Sequence, residues 1–290
     1  MNISATTKVC ALIGDPVAHS LSPSIQNAAF QYLNLNYVYV AFNVKKENLE
    51  KAVSGMRSLN MHGLNVTMPH KMNVIQYLDQ IDETAKNIGS VNTVLNKEGT
   101  LIGYSTDGIG ALNALKYNKV SPSNKKIVIL GAGGASRAVS FNIAKESKEL
   151  VVLNRTVEKA ENLVKDLSSL LGKSVKVKAR SLKETNLKTE LEDADIVINA
   201  TSIGMHPREN ETPINPILLR PSMVVFDLVY DPFETRLLKD AKKVGAKTIN
   251  GLDMLIHQGA SSFEIWTGKK APVEVMMKAA MAKLKAKKEK

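Results

Sequence analysis

The segment IVILGAGGASRA, residues 127–138, constrains the fold of this 290-residue chain more than any other feature. Its apolar run predicts a buried strand, and a helical pattern then continues through Ala144. Gly131, Gly133 and Gly134 fall in the turn between them, where glycines let the backbone approach a pyrophosphate at a helix N-terminus. This context predicts a dinucleotide-binding turn, with a tight loop that binds nothing as the alternative. Ser136 stands at the third position of the fingerprint, so the helix must accommodate a hydroxyl there.

The end of the next predicted strand, in VVLNRTVEKA, distinguishes between the two nicotinamide dinucleotides. An acidic residue here would bind a ribose 2′-hydroxyl and repel a 2′-phosphate. Asn154, Arg155 and Thr156 offer hydrogen-bond donors instead, and Lys159 follows Arg155 by one helical turn. The sequence therefore predicts NADP rather than NAD. The alternative is an ordinary basic cluster that opens a helix, although cations are unfavourable at a helix N-terminus without an anion.

A third segment, INATSIGM, follows another apolar strand pattern and ends in small polar residues and glycine. Thr201 and Ser202 would lie where the nicotinamide half of the cofactor passes over the sheet. A simple turn over residues 199–204 explains the pattern equally well, so both interpretations stay open.

Strand and helix patterns alternate in two series, which favours an α/β protein of two domains. In the first series the predicted strands are Val9–Gly14, Tyr37–Phe42, Gly63–Val66 and Val91–Leu95, and the predicted helices are Ser24–Leu33 and Leu49–Leu59. In the second series the predicted strands are Ile127–Leu130, Leu150–Leu153, Ile196–Asn199 and Val224–Leu228, with helices through Ala144 and from Val157. After Gly251 the pattern is helical, over Leu252–Trp266 and Val273–Leu284.

These patterns predict a mixed-sheet α/β substrate domain over residues 1–108 and a Rossmann-like, doubly wound NADP domain over 109–251. The boundary is placed at a helix that starts near Gly108. Because no parallel strand is left for them to cover, the helices of residues 252–290 are expected to return and pack on the first domain.

The formal net charge of +11 does not point to nucleic acid, because the lysines are dispersed except over Lys283–Lys290. Trp266 is the only tryptophan, and no series of aromatic residues alternates with basic ones. A diffuse positive potential instead favours small anionic ligands, such as a carboxylated substrate and a phosphorylated cofactor. The oligomeric state stays open, with a homodimer as one candidate.

No apolar run approaches the roughly 18 residues of a membrane span, and no secretory leader pattern opens the chain, so a cytoplasmic enzyme is expected. Cys10 is the only cysteine and falls inside a strand pattern, which indicates a core position and no internal disulfide. The five histidines lack paired helical spacing with carboxylates, so no metal is expected.

Four polar clusters follow apolar strand residues in the first domain: GDPVAHSLSPSIQN, NVTMPHK, GSVNTV and GYSTDGIG. Strand ends of this kind are where α/β domains assemble their sites, because the sheet holds the backbone while the side chains face a crevice. With GAGGASRA, NRT, DLVYDPFETRLL and GLDMLIHQGASSFEIWTG, these clusters resemble the shikimate dehydrogenase family from residue 9 to about 275.

The resemblance implies reversible, NADPH-dependent reduction of 3-dehydroshikimate to shikimate, a step toward chorismate and the aromatic amino acids. It implies that Ser20, Ser22, Thr67 and Tyr230 bind the substrate carboxylate. The residues implied around the ring hydroxyls are Asn65, Lys71, Asn92, Asp107 and Gln258. The residues implied on the cofactor side are Glu83, Gly131, Ala132, Gly133, Gly134, Ala135, Asn154, Arg155, Thr156, Lys159, Leu228, Gly251 and Met254, to which the INATSIGM segment adds Thr201 and Ser202.

Ketone reduction explains why Lys71 and Asp107 are the implied catalytic residues. The cofactor supplies only a hydride, so the protein must deliver a proton to the oxygen. Lys71 can donate it as an ammonium, and Asp107 can orient the lysine and a substrate hydroxyl. Taken alone, Lys71 could equally be a solvated lysine after a proline turn.

Other functions stay open at this stage. The sequence departs from the usual pattern at Gln26, Ser90 and Ser105, and the first and last of these bear on fine substrate preference. A quinate/shikimate dehydrogenase with broader substrate and cofactor use is one alternative, although the NRT segment with Lys159 argues for NADP. A catalytically inactive NADP-sensing regulator is another, although a sensor has no need of Lys71, Asp107 and Gln258. A structural nucleotide-binding subunit gains nothing from the sequence.

Overall fold

The computed structural model describes residues 3–172 and 175–288. Over these residues the chain forms two compact units. The first contains the chain up to Asp107 and again from Ile256, and the second is Gly108–Leu255. No helix in the described ranges is long and apolar enough to cross a membrane.

The first unit is built on a six-stranded mixed sheet of order β2-β1-β3-β5-β6-β4. Its strands are β1 Lys8–Gly14, β2 Tyr37–Asn43, β3 Gly63–Val66, β4 Gln80–Ile81, β5 Thr93–Lys97 and β6 Thr100–Tyr104. The strand β1 pairs in parallel with β2 and β3, whereas β5 runs antiparallel to β3 and β6. The reversal between β5 and β6 needs only Glu98 and Gly99, which both have positive φ, as a tight hairpin turn requires.

The second unit is built on a six-stranded parallel sheet of order β12-β11-β10-β7-β8-β9. Its strands are β7 Lys126–Leu130, β8 Glu149–Asn154, β9 Lys176–Ser181, β10 Ile196–Asn199, β11 Val224–Asp227 and β12 Lys247–Ile249. Strand order reverses between β7 and β10, and this switch point is where doubly wound sheets place their ligands. Apolar residues of β7, β8, β10 and β11 form the buried core of the unit.

The described helices cover both sheets. Their apolar residues recur with the helical period, so that one face of a helix can be buried. They are α1 Ser22–Tyr32, α2 Leu49–Ser58, α3 Glu83–Ile88, α4 Asp107–Tyr117, α5 Gly134–Ala144, α6 Val157–Leu171, α7 Glu184–Leu191, α8 Arg236–Lys243, α9 Gly251–Thr267 and α10 Val273–Lys288. The helix α10 packs against α1, and Phe263 of α9 stacks on Phe30 of α1 with ring centroids 5.2 Å apart. The predicted return of the C-terminal helices to the first unit is therefore confirmed.

The predicted mixed sheet, the predicted doubly wound sheet and most of their elements are confirmed within one or two residues. The strand predicted over Val91–Leu95 instead begins at Thr93, because the N–H of Val91 donates to the carbonyl of Lys71 rather than to a strand. Along the chain, the first unit ends at Asp107 and resumes at Ile256, whereas the predicted domain boundaries lie after Gly108 and after Gly251. The helix α9 is continuous from Gly251 to Thr267, so the division after Leu255 falls inside this helix.

Candidate active site

Lys71 and Asp107 form a close ion pair in the first unit. Lys71 lies between β3 and β5, and Asp107 is the first residue of α4, where the helix dipole favours a carboxylate. The Lys71 Nζ donates to Asp107 Oδ2 at 2.5 Å. The side chain of Asp107 is 4% exposed and that of Lys71 is 18% exposed. The carboxylate is thus fixed inside the unit, while the ammonium keeps a path to a ligand.

The carboxamide of Asn92 binds the second carboxylate oxygen of Asp107 and so fixes the ion pair. Its Nδ2 donates to Asp107 Oδ1 at 3.1 Å, to Thr106 Oγ1 at 2.8 Å and to the Gln258 Oε1 at 3.1 Å. Its Oδ1 accepts from the Thr106 N–H at 2.7 Å, which fixes the direction of the amide. Two amide protons serve three acceptors here, so Thr106, Asp107 and Gln258 share the donors of one amide nitrogen.

Asn65 extends the polar cluster beneath the pair. It lies in β3, where its Nδ2 donates to the carbonyl of Asn92 at 3.0 Å and to Ser262 Oγ at 3.1 Å. Tyr39 donates its hydroxyl to Asn65 Oδ1 at 2.7 Å, and burial holds the Tyr39 pKa well above its usual range. Because Tyr39 stays neutral and donates, the Asn65 carboxamide has one orientation.

The predicted carboxylate-binding hydroxyls lie at the start of α1 and after β3. Ser22 is the first residue of α1 and its N–H donates to Ser20 Oγ at 3.2 Å. Thr67 follows β3, and its N–H donates to the carbonyl of Ile13 at 2.9 Å. Gly14 is required between them, because a Cβ there would lie 2.3 Å from Thr67 Cγ2. Ser20, Ser22 and Thr67 therefore lie along the carboxyl ends of β1 and β3.

The glycine turn of the second unit fits a pyrophosphate. Gly131 has φ +106° and a Cβ there would lie 2.9 Å from the carbonyl oxygen of Ala200, so the fold itself requires this glycine. A Cβ on Gly133 would meet no atom within 4 Å, so the space beside this residue is open. Ser136 is accommodated because its buried hydroxyl donates to the carbonyl of Gly131 at 2.6 Å. Ala132 and Ala135 flank these positions, and α5 begins at Gly134.

The cations at the end of β8 fit a 2′-phosphate. Arg155, Thr156 and Lys159 are exposed at the start of α6, where Thr156 is the N-cap and forms no side-chain capping bond. Asn154 Nδ2 donates to the carbonyl of Thr156 at 2.8 Å and shapes this turn. Within the described ranges, neither Arg155 nor Lys159 has an ion-pair partner. Two cations at a helix N-terminus without an anion are unfavourable, and a phosphate would reverse the sign of that interaction.

Three further segments of the second unit meet at the carboxyl ends of β10 and β11. Thr201 and Ser202 follow Asn199, whose Oδ1 accepts from Thr201 N and Oγ1 at 3.1 and 2.7 Å. Gly251 opens α9 so close to β11 that a Cβ would lie 2.3 Å from the carbonyl oxygen of Leu228. Met254, one turn later, is buried.

Two further predicted residues lie on the loop after β11 and on α3. Tyr230 belongs to the second unit, where burial, with the neighbouring Asp231 charge, raises its pKa to about 12, so that its phenol stays a neutral donor. Glu83 is exposed on the first turn of α3 in the first unit. The structure thus brings together Asn65, Lys71, Asn92, Asp107 and Gln258 in one unit and the glycine turn with the β10 loop in the other.

The sequence interpretation missed several buried hydroxyls and one carboxylate. Thr93 Oγ1 lies 2.7 Å from Ser262 Oγ and donates to Asn92 Oδ1 at 3.3 Å, and Ser262 Oγ lies 3.3 Å from Thr106 Oγ1. Asp227 is fully buried at the end of β11. Small polar residues inside otherwise apolar strand and helix patterns were the available signal, but the contact between Thr93 and Ser262 spans 169 residues of sequence.

A doubly wound sheet with this glycine turn and these exposed cations, in a chain that also holds a partly buried lysine–aspartate pair, defines a nicotinamide-dinucleotide-dependent oxidoreductase. Residues 12–94 match the shikimate dehydrogenase substrate binding domain, 114–230 match shikimate/quinate 5-dehydrogenase, and 251–281 match the shikimate 5′-dehydrogenase C-terminal domain. The chain belongs to the shikimate dehydrogenase family.

Relatives of known name agree with this assignment over the whole chain. The chain is 51% identical over 283 residues to the shikimate dehydrogenase (NADP(+)) of Methanocaldococcus jannaschii, a match that covers 97% of this chain and 99% of the relative. A crystal structure of shikimate dehydrogenase in complex with NADP+ superposes with a TM-score of 0.91 at 50% identity, with 98% of each chain covered. The Listeria monocytogenes shikimate 5-dehydrogenase, in complex with shikimate and NAD, has a TM-score of 0.88 at 40% identity, covering 96% of this chain and 98% of that one.

Proposed function

We propose that this chain is an NADP-dependent shikimate dehydrogenase, which interconverts 3-dehydroshikimate and shikimate. The observation that carries the proposal is the ion pair of Lys71 and Asp107, 2.5 Å apart and fixed by Asn92. It lies in the unit that contains the match to a substrate-binding domain. The two cations at the start of α6, Arg155 and Lys159, support NADP as the cofactor.

NADPH supplies the hydride that reduces the ring carbonyl carbon. Lys71 delivers the proton to the carbonyl oxygen as its C–O double bond becomes a single bond, and its charge stabilises the developing alkoxide. In the reverse direction the neutral amine of Lys71 accepts the hydroxyl proton. Asp107 accepts a hydrogen bond from Lys71 on one oxygen, keeps the ammonium oriented, and offers its other oxygen to a substrate hydroxyl.

The remaining polar residues of the first unit are proposed to bind the substrate. The hydroxyls of Ser20, Ser22 and Thr67, with that of Tyr230, bind its carboxylate, since neutral donors and a helix N-terminus suit an anion. Asn65, Asn92 and Gln258, with Lys71 and Asp107, contact the ring hydroxyls. The mixed donors and acceptors of these amides match a ring that carries several hydroxyl groups.

The second unit is proposed to be the NADP domain and the first the substrate domain. The turn Gly131–Ala135 contacts the pyrophosphate, and residues Asn154–Lys159 contact the adenosine end with its 2′-phosphate. The residues proposed toward the nicotinamide end are Glu83, Thr201, Ser202, Leu228, Gly251 and Met254.

The initial rate with shikimate and NADP, compared with quinate and NAD in the same assay, tests the proposal. Efficient turnover of shikimate with NADP alone is the expected result. Comparable efficiency with quinate and NAD would support a quinate/shikimate dehydrogenase of broader use. Gln26 and Ser105, which depart from the usual family pattern, are the residues that bear on this substrate preference. Tight NADP binding without turnover of either substrate would support a regulator instead.

A cytoplasmic location and a homodimer stay predictions of the sequence. Cell fractionation tests the first, and sedimentation velocity of the purified chain at several concentrations tests the second.

A further inference from the structure

Asp227, the last residue of β11, is a fully buried carboxylate outside the site residues described above. Three donors surround it. Asn199 Nδ2 donates to its Oδ1 at 2.9 Å and the Val229 N–H donates to the same oxygen at 3.0 Å. The hydroxyl of Thr235 donates to Oδ2 at 2.6 Å. Within residues 3–172 and 175–288, no cation pairs with it.

An ionised group in such a place opposes folding. Burial raises the pKa of the Asp227 carboxyl to about 6, although the three hydrogen bonds act in the opposite direction. The side chain is therefore charged near neutral pH. A buried charge without a counter-ion destabilises the folded state, because its lost hydration is not fully replaced. The three hydrogen bonds offset part of this cost, and their donors come from three separate places in the chain.

The hydrogen bonds of Asp227 fix the loop that follows β10. Asn199 is registered opposite Asp227 in the sheet and its amide nitrogen also donates to the carbonyl of Ile203 at 3.1 Å. Because this nitrogen is directed at Asp227, the amide oxygen faces the other way and accepts both hydrogen bonds from Thr201. The N–H of Ile203 in turn donates to Thr201 Oγ1 at 3.1 Å, which closes the turn.

The same carboxylate fixes the segment that follows β11. The bond from Val229 N–H holds the backbone between Leu228 and Tyr230, and the N–H of Leu228 donates to the carbonyl of Asn199 at 2.9 Å. Thr235, bound to the other oxygen, caps α8 by accepting from Leu238 N–H at 3.3 Å. One buried side chain therefore joins the two loops that carry Thr201, Ser202, Leu228 and Tyr230.

We propose that Asp227 is a positioning residue that holds these two loops ready for the nicotinamide half of NADP. It touches neither ligand, and it acts through Asn199 and the Val229 N–H. The inference rests on the proposed function, since it takes the loops to be cofactor contacts. A carboxylate suits the task because its two oxygens accept three converging donors without offering a proton to any of them.

Calorimetric titration of Asp227→Ala with NADP and with adenosine 2′,5′-bisphosphate tests the proposal. The bisphosphate probes the adenosine end alone. The dissociation constant for NADP should rise by about tenfold or more, while that for the bisphosphate stays within about twofold of the parent. Asp227→Asn keeps one oxygen for Asn199 and Val229, so it should recover most of the NADP affinity. Turnover should follow NADP affinity across the series.

A control is Asp195→Asn, which directly precedes strand β10 and whose carboxylate accepts from Lys126 N–H at 2.9 Å. It should change neither titration. If Asp227→Ala does not fold, Thr235→Val removes the donor to Oδ2 together with the cap of α8, and Thr235→Ser restores both. Unchanged NADP affinity in the folded variants, or equal loss for both ligands, overturns the positioning role. A parent chain that binds neither ligand would overturn the proposed function instead.

Discussion

The ammonium of Lys71 donates to the carboxylate of Asp107, and that carboxylate accepts from the side-chain amide of Asn92. These two successive hydrogen bonds set the position of the ammonium. Because a proton donor acts mainly in the transition state, Lys71→Ala should lower kcat by a factor on the order of 100 or more and change shikimate affinity less. Steady-state kinetics with shikimate and NADP measures both quantities.

Lys51→Ala is the control for this prediction, since Lys51 is an exposed lysine on α2 of the same unit. It should leave kcat and the Michaelis constant unchanged. Near-normal turnover of Lys71→Ala would remove Lys71 from the proton transfer and leave the ion pair a structural one.

Arg155 offers a second test at the scale of one residue. Truncation of a charge-assisted contact to a phosphate costs roughly 1.5 to 3 kcal/mol, so Arg155→Ala should weaken NADP by about one to two decades and NAD far less. Titration with both cofactors gives the ratio, and Lys165→Ala, an exposed lysine farther along α6, is the matched control. Equal loss of NADP and NAD would make Arg155 structural and place the 2′-phosphate contact elsewhere.

Helix packing gives a prediction at the scale of elements, because two helical glycines have opposite surroundings. A Cβ on Gly108 of α4 would lie 1.9 Å from Asn142 Nδ2 and 2.3 Å from the carbonyl oxygen of Ala138, whereas a Cβ on Gly55 of α2 would meet nothing within 4 Å. Overpacking should make Gly108→Ala destabilising by about 1 to 3 kcal/mol. Gly55→Ala should stabilise by about 0.5 to 1 kcal/mol through lost unfolded-state entropy.

Denaturant unfolding of both variants measures these free energies, and each serves as the other's control. Stabilisation by Gly108→Ala would show that α4 and α5 do not approach through this glycine. Destabilisation by Gly55→Ala would show that α2 is not a regular helix at that residue.

The elements that the sequence predicted share one property: an apolar run or period that the fold buries. The strands β3 and β10 are buried at every residue, and both were predicted with the correct bounds. The strand β9, KVKARS, was missed because it lies at the sheet edge, has no buried residue and carries three cations. The helices α7 and α8 were missed because polar and charged residues dominate their sequences, although Leu187 and Leu237 turn inward.

The candidate site could be predicted where its residues lie near strand or helix ends. It could not be predicted where hydrogen-bonded residues are far apart in the sequence. Lys71, Asn92 and Asp107 stand at strand or helix ends, where a side chain can face a ligand. Ser262 lies in the middle of α9 and looks like an ordinary small helical residue, and only the fold brings it to Asn65 and Thr93. Long-range pairing of this kind has no periodic signature in one sequence.

At the scale of the molecule, the serines proposed for the substrate carboxylate and the residues proposed for the cofactor phosphates belong to separate units, and this separation has a measurable consequence. Ser20 and Ser22 belong to the first unit, whereas the glycine turn and Arg155 belong to the second. Replacing both serines with alanine removes two hydrogen bonds to the substrate carboxylate, each worth roughly 1.5 to 3 kcal/mol. The Michaelis constant for shikimate should rise by a factor on the order of 100 to 10,000, while the calorimetric dissociation constant for NADP stays within about twofold.

The matched control for the double variant is Ser54→Ala with Ser58→Ala, which removes two exposed hydroxyls from α2 of the same unit. It should leave both constants unchanged. Because Ser22 is nearly buried at the start of α1, thermal unfolding of each variant checks that the first unit stays intact. A loss of about tenfold or more in NADP affinity for the folded Ser20, Ser22 variant would contradict the proposed separation of the two serines from the cofactor phosphates, since neither hydroxyl belongs to the unit proposed to bind these phosphates.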